Sequence, residues 1–372
     1  MEALILSCST GGGHNMAAQA VAEELTDRGH NVTFFDPYEL VSDRLSHTVA
    51  NTYIRLVQKA PWLFGIVYAL GSAYEHLPGY SPVYWANGKM MHYLGQYLEK
   101  HSFDVIVTSH LFPAEILTYM KNHGMAVPKT VFIATDYTCI PFTPEIDCDY
   151  YVIPSPELKE EFCRKGIPAE KILPFGIPVR KAFQSQESQS EARQHLHLSK
   201  DKRYFLLSGG SIGAGKMVKA IRILERYLKT HEDTVLIVLC GNHETLYKKL
   251  SAQYAGHTQI CILESTSDMA SYLKACDLFL TKPGGLSSTE GAVSGTAMIH
   301  LSPIPGCETK NARFFAAHKL CLSVRHMRGQ LLPAVQCLQK EARVSLMKKR
   351  QKQTIDGRAG AKLCDFLEKT GQ

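Results

Sequence analysis

Glycine-rich turns, each joining a short apolar run to a stretch of helical period, constrain this chain more than any other feature. They fall at residues 9–14 (STGGGH), 209–216 (GGSIGAGK) and 283–285 (PGG). A strand feeding a helix through such a turn begins a β-α-β unit, and repeated units build a parallel sheet with helices on both faces. The apolar runs are unbroken, as in EALILSC (2–8), FDVIVTS (103–109) and TVLIVLCG (234–241). That pattern belongs to strands buried on both faces.

In the first half, strands are expected over 2–8, 31–36, 103–109, 130–136 and 150–154. A helix follows the first turn, with Ala17, Ala18, Val21, Ala22 and Leu25 at helical spacing, and another is expected near 113–123. Residues 45–100 break this rhythm: they hold 10 aromatics between Tyr53 and Tyr97, and prolines at 61, 78 and 82. They read as an aromatic-rich helical insertion. A Gln- and Ser-rich stretch over 183–203 then marks a linker into a short helix. The rhythm restarts beyond it, with strands expected at 204–210, 234–241, 259–265, 278–282, 297–303 and 320–324.

The expected fold is therefore α/β. It has two Rossmann-like, doubly wound parallel-sheet domains facing across a cleft, with ligands at the carboxyl ends of the strands. Residues 1–183 form the first domain and 184–325 the second. Residues 326–372 supply C-terminal helices, the last returning to the first domain.

Composition narrows the class. With 45% apolar and 20% charged residues in 372, the chain can bury a core without disulfides or structural metal. No run approaches the roughly 18 apolar residues of a membrane span. The 11 cysteines include no C-x-x-C pair, as expected of reduced thiols. The opening MEALILSC has neither the basic region nor the apolar length of a signal peptide, so the cytoplasm is the expected compartment. Residues 1–183 carry 14 Lys+Arg against 19 Asp+Glu, a charge of −5, and 184–372 carry 27 against 16, a charge of +11. The basic half suits an anionic ligand or surface, or serves only solubility.

Four motifs carry the candidate chemistry. In 209–216, Gly210 and Ser211 stand in a turn whose glycines admit close backbone approach and whose N–H groups can hold phosphate. It approximates a P-loop, but Met217 replaces the hydroxyl residue that would ligate Mg²⁺. In 281–292 (TKPGGLSSTEGA), Gly284 and Gly285 allow a tight turn, Ser287 or Ser288 can cap the following helix, and Glu290 can accept two hydroxyl hydrogen bonds. In 302–311 (SPIPGCETKN), Glu308 and Asn311 share a side at i, i+3 and suit sugar hydroxyls. In 9–14, Gly12 and Gly13 precede His14, an imidazole able to take a proton from an acceptor hydroxyl. His110 and Asp136 each end a strand, where they border the expected cleft or serve the fold alone. Asp147-Cys148-Asp149 spells the D-x-D that binds metal in some glycosyltransferases, but no neighbouring ligand residues accompany it.

Together these motifs resemble the bacterial processive diacylglycerol glucosyltransferases and the plant galactolipid (monogalactosyldiacylglycerol) synthases, and more distantly the glycosyltransferase that makes lipid II. The carrying segments are GGGHNMAA (11–18), TDY (135–137), GIPVR (176–180), LLSGGSIG (206–213), TKPGGLSSTEG (281–291) and PIPGCETKN (303–311). The resemblance implies a GT-B fold and an inverting hexosyltransferase. It would move glucose or galactose from a UDP-sugar to diacylglycerol or a glycosyl-diacylglycerol, with no cofactor and no catalytic metal. It implies that Glu290 holds the ribose, Ser211 and Arg180 meet the diphosphate, and Thr266 to Met269 hold the uracil. Glu308 and Asn311 would grip the donor sugar, and His14 would face the reacting centre. It also implies a lipid acceptor, an anionic membrane surface at the inner face of the cell membrane, and no nucleic acid. The alternatives are another lipid acceptor, such as a lipid-linked muropeptide, or a UDP-sugar-binding regulator without turnover. Cys307 stands where the family usually has Gln, and TCIPFT (138–143) where it often has a His and a Trp. These departures leave the hexose and the acceptor open.

Overall fold

A computed structural model describes residues 1–8, 12–59, 61–74 and 79–370. Ser9, Thr10 and Gly11 of the 9–14 turn lie outside it. The chain divides into two compact units: 1–180 with 357–372, and 181–356.

The first unit is built on six parallel strands, β1 (Glu2–Leu6), β2 (Asn31–Phe35), β3 (Val105–Thr108), β4 (Lys129–Ile133), β5 (Tyr150–Val152) and β6 (Ile172–Leu173), in the order β2-β1-β3-β4-β5-β6. Alternation along β1 fixes its two faces. Ala3 and Ile5 pack with Ala18, Val21 and Leu25 of the helix Gly12–Asp27 and with Leu363, Cys364 and Leu367 of the helix Ala359–Thr370. Leu4 and Leu6 pack on the other side with Met90, Leu94, Ile116 and Leu117. The insertion is helical, at Asp43–Lys59, Pro61–Tyr74, Pro82–Gly88 and Met91–Lys100. Pro61 and Pro82 open helices, where the missing N–H costs nothing.

The second unit repeats the plan with β7 (Arg203–Ser208), β8 (Thr234–Leu239), β9 (Ile260–Leu263), β10 (Leu278–Thr281), β11 (Met298–His300) and β12 (Leu322–Ser323), ordered β12-β11-β10-β7-β8-β9 and parallel throughout. The helices Met327–Cys337 and Glu341–Thr354 belong to this unit, whereas Ala359–Thr370 packs on the Gly12 helix of the first. Among the described residues, no helix is long and apolar enough to cross a membrane.

In each sheet the strand order reverses once, between β1 and β3 and between β7 and β10. Such a reversal opens a crevice at the carboxyl ends of the strands. Leu6 lies level with Thr108, and Thr281 with Ser208. The turns that leave these strands are therefore neighbours.

Candidate active site

At the β1/β3 reversal stands His14, in the first turn of the helix Gly12–Asp27, which Gly12 and Gly13 begin. Its Nδ1 lies 2.7 Å from the carbonyl oxygen of Ser109, which follows β3. A carbonyl only accepts, so Nδ1 carries the proton and Nε2 keeps its lone pair. The Thr135 hydroxyl lies 3.1 Å from the same nitrogen. Ser109 also donates its hydroxyl to the His14 carbonyl at 2.8 Å, and Ser7 donates to Asn15 Oδ1 at 2.6 Å. The start of the helix is thus pinned to two strand ends. Burial pushes the His14 pKa below its ordinary value, while the charge of Asp136 and the Ser109 carbonyl act in the opposite sense.

His110 meets His14 edge-on, with ring centroids 4.7 Å apart. Its Nδ1 accepts the Phe112 N–H at 3.2 Å and caps the helix Leu111–Asn122. Burial, and then the neighbouring His14, hold its pKa well below the usual histidine value. His110 is therefore a neutral cap that walls the His14 ring. Asp136 is half-buried one residue beyond Thr135 and acts on His14 through its charge.

The second unit gathers the glycine turns at the β7/β10 reversal. The 209–216 turn closes on itself: Gly213 N–H donates to Gly210 O at 3.0 Å, Ala214 N–H to Gly209 O at 3.1 Å, and Gly210 N–H to Ser208 Oγ at 3.2 Å. It also seats against the turn after β8, where Asn242 N–H donates to Ser211 O at 2.7 Å. Three N–H groups of the turn are thus paired, two of them within it and one to Ser208. Ser211 is exposed at its rim. Met217, which stands where a P-loop has its hydroxyl residue, is core at 2% exposure, and Lys216 is exposed at the N-cap of the helix Met217–Leu228.

The helix Gly285–Val293 takes Gly284 as its N-cap, with no side-chain cap bond. Neither serine caps it, contrary to expectation: Ser288 is buried and bonded to His300 Nε2 at 2.9 Å. The uncapped start carries the positive end of the helix dipole and N–H groups without intrahelical partners. Glu290 follows within the same helix and is 8% exposed.

Glu308 and Asn311 do share a side of the helix Cys307–Ala317, and both tie down the turn before Gly284. Asn311 donates to the Pro283 carbonyl at 3.0 Å. Glu308 binds Lys282 through one oxygen and accepts the Ile304 N–H at 2.9 Å through the other. In the turn after β9, Thr266 Oγ1 accepts the Asp268 N–H at 3.0 Å, and Asp268 caps the short helix that begins at Met269. Arg180, half-buried, is the last residue of the first unit before the chain enters the second. The D-x-D carboxylates are committed elsewhere: Asp147 pairs with Lys171 at 2.8 Å and Asp149 with Lys121 at 3.1 Å.

Three contributors escape the sequence reading: Ser109, Thr135 and Lys282. Thr135 and Lys282 lie inside motifs already singled out, but only the register of parallel strands shows what they touch.

Comparison with known proteins gives two family matches. The family described as monogalactosyldiacylglycerol (MGDG) synthase matches residues 14–179, and the glycosyltransferase family 28 C-terminal domain matches 205–362. The chain is 25% identical over 371 residues to a processive diacylglycerol beta-glucosyltransferase of Bacillus licheniformis, covering 99% of this chain and 94% of that one. It is 25% identical over 349 residues to the enzyme so named in Bacillus subtilis, covering 93% and 89%. Among solved structures, MurG of Acinetobacter baumannii superposes with a TM-score of 0.61 at 17% identity, covering 99% of each chain.

Proposed function

We propose that this chain, which has a GT-B fold and two halves that each match a glycolipid-synthase or glycosyltransferase family, moves a hexose from a UDP-sugar to diacylglycerol or a glycosyl-diacylglycerol at a membrane surface, with inversion. The observation that carries this reading is the fixed tautomer of His14, whose Nε2 is left as a proton acceptor. The acceptor hydroxyl gives its proton to Nε2, and its oxygen forms the new bond to the anomeric carbon. The bond from that carbon to the β-phosphate oxygen breaks, and its electron pair leaves with UDP. One displacement turns an α-linked donor into a β-linked product, in keeping with relatives named beta-glucosyltransferases.

On this reading Glu290 accepts the ribose hydroxyls, and Thr266 to Met269 flank the uracil. Gly210, Ser211, Gly284, Gly285 and Arg180 serve the diphosphate. Glu308 and Asn311 shape the sugar end by fixing the turn before Gly284. Charge on the departing UDP is met by backbone N–H groups, a helix start and cations, so we propose transfer without a resident metal.

The lipid side rests on the insertion. Trp62, Ile66 and Leu70 recur on one face of the helix Pro61–Tyr74 and are 66%, 46% and 64% exposed. Exposed apolar side chains at this spacing, with a tryptophan among them, suit a lipid interface.

The test is UDP release from UDP-glucose and UDP-galactose over diacylglycerol vesicles. His14→Ala is expected to lower kcat by about 10²–10⁴-fold, and Glu290→Ala to weaken donor binding by about 1.5–3 kcal/mol. Full activity in both variants, or no release with either donor, would defeat the reading.

A further inference from the structure

The pair formed by Lys282 and Glu308 lies where the two glycine turns of the second unit meet. Lys282 follows β10 directly, and Glu308 stands in the first turn of the helix Cys307–Ala317. Their side chains are 17% and 9% exposed. The lysine is held from both sides, because Asn311 grips the Pro283 carbonyl and Glu308 is itself anchored to the Ile304 N–H.

The position of the ammonium is set by the two glycines beneath it. A Cβ on Gly210 would lie 3.2 Å from Lys282 Cε and 3.9 Å from Nζ, and a Cβ on Gly284 would lie 3.5 Å from Nζ. The cation thus rests across the Gly210 turn and beside the uncapped start of the helix Gly285–Val293. That start carries partial positive charge, which disfavours a cation. Glu308 compensates, but a mostly buried ion pair contributes little net stability after desolvation. An ammonium, a bare helix start and two bare glycines around one point form a site for an anion larger than a carboxylate oxygen.

We propose that Lys282 is a further cation that receives the donor's diphosphate, and that Glu308 is a positioning residue that holds the ammonium over the glycine turns until the donor arrives. This deepens the reading of the second unit as a UDP-sugar site and rests on it.

The experiment is titration calorimetry with UDP and with uridine, on wild type, Lys282→Met and the double variant Lys282→Met/Glu308→Gln. The double variant removes both charges, so no buried charge is left uncompensated. Loss of a charge-assisted contact is expected to weaken UDP by about 10- to 100-fold in both variants, while uridine stays within about twofold of wild type. Unchanged UDP affinity, or equal losses for UDP and uridine, would overturn the role of Lys282 and leave the donor reading standing. A wild type that binds no UDP would instead remove the donor reading itself. A measurement without variants stands beside this: on wild-type protein, UDP but not uridine should shield Lys282 from reductive methylation, read by peptide mass spectrometry. Equal labelling with both ligands would count against the proposal.

Discussion

His14 carries its proton on Nδ1, facing the Ser109 carbonyl, and burial holds the ring below the ordinary histidine value. The neutral, proton-accepting form therefore dominates at pH 7. The acid limb of kcat/KM should fall below about 6.5. Asp136 pulls that value upward through its charge, so Asp136→Asn should move the limb lower still. It should also reduce kcat, because the imidazolium formed during transfer loses a compensating charge. A limb at or above pH 7 in the wild type would exclude His14 as the base. Burial also lowers the pKa of His110, and that of His300 to about 3. For all three histidines the unfolded chain binds protons that the folded chain refuses. Stability is then complete above about 6.5 and declines as pH falls, down to about 3 for His300. Denaturation midpoints measured from pH 7.5 to 4 should show this decline, and His300→Gln should flatten it. His14 is legible in the sequence because it follows a run of glycines after an apolar strand. The cap made by His110 is not, because nothing local separates a capping histidine from a catalytic one.

The 209–216 turn shows what an element demands of its residues. Gly213 has φ +58°, and a Cβ there would sit 2.2 Å from the Cys240 carbonyl oxygen. Gly215 has φ +99° with nothing within 4 Å of such a Cβ. Gly213→Ala adds a backbone clash to torsional strain and should cost more than about 2 kcal/mol, whereas Gly215→Ala should cost about 1 kcal/mol. Comparable losses in urea titrations would show that strain, not contact with the β8 turn, governs this element. The strands were readable because a run such as YFLLS has no polar gap. β6 was not, because Ile172 and Leu173 are too few to make a pattern. The cap of the helix Gly285–Val293 departs from the local rule for a related reason: Ser287 and Ser288 satisfy that rule, but Ser288 finds a better partner in His300 on β11, a neighbour visible only in three dimensions.

Across the whole molecule, the two sheets and their order of turns follow from the sequence, because each β-α repeat is local. The aromatic segment was readable as helical, but which of its rings face solvent was not. Trp62→Ser with Leu70→Ser should weaken sedimentation with diacylglycerol-containing vesicles while leaving UDP binding intact; unchanged sedimentation would remove this face from the lipid side. The last helix illustrates another long-range tie. Arg28 binds Asp365 at 2.7 Å and Glu368 at 3.1 Å, and Leu363 and Leu367 are buried in the first unit's core. Each buried leucine is worth about 1.5–3 kcal/mol. Truncation after Asp356 should therefore lower the melting temperature by many degrees, and a small shift would show the helix to be dispensable. The second unit is one uninterrupted passage, 181–356, whereas the first is sewn from two. A chimera that borrows the glycine-turn half from a relative therefore needs two splice points. A single crossover would import a foreign terminal helix and set it against a native partner it did not evolve to fit.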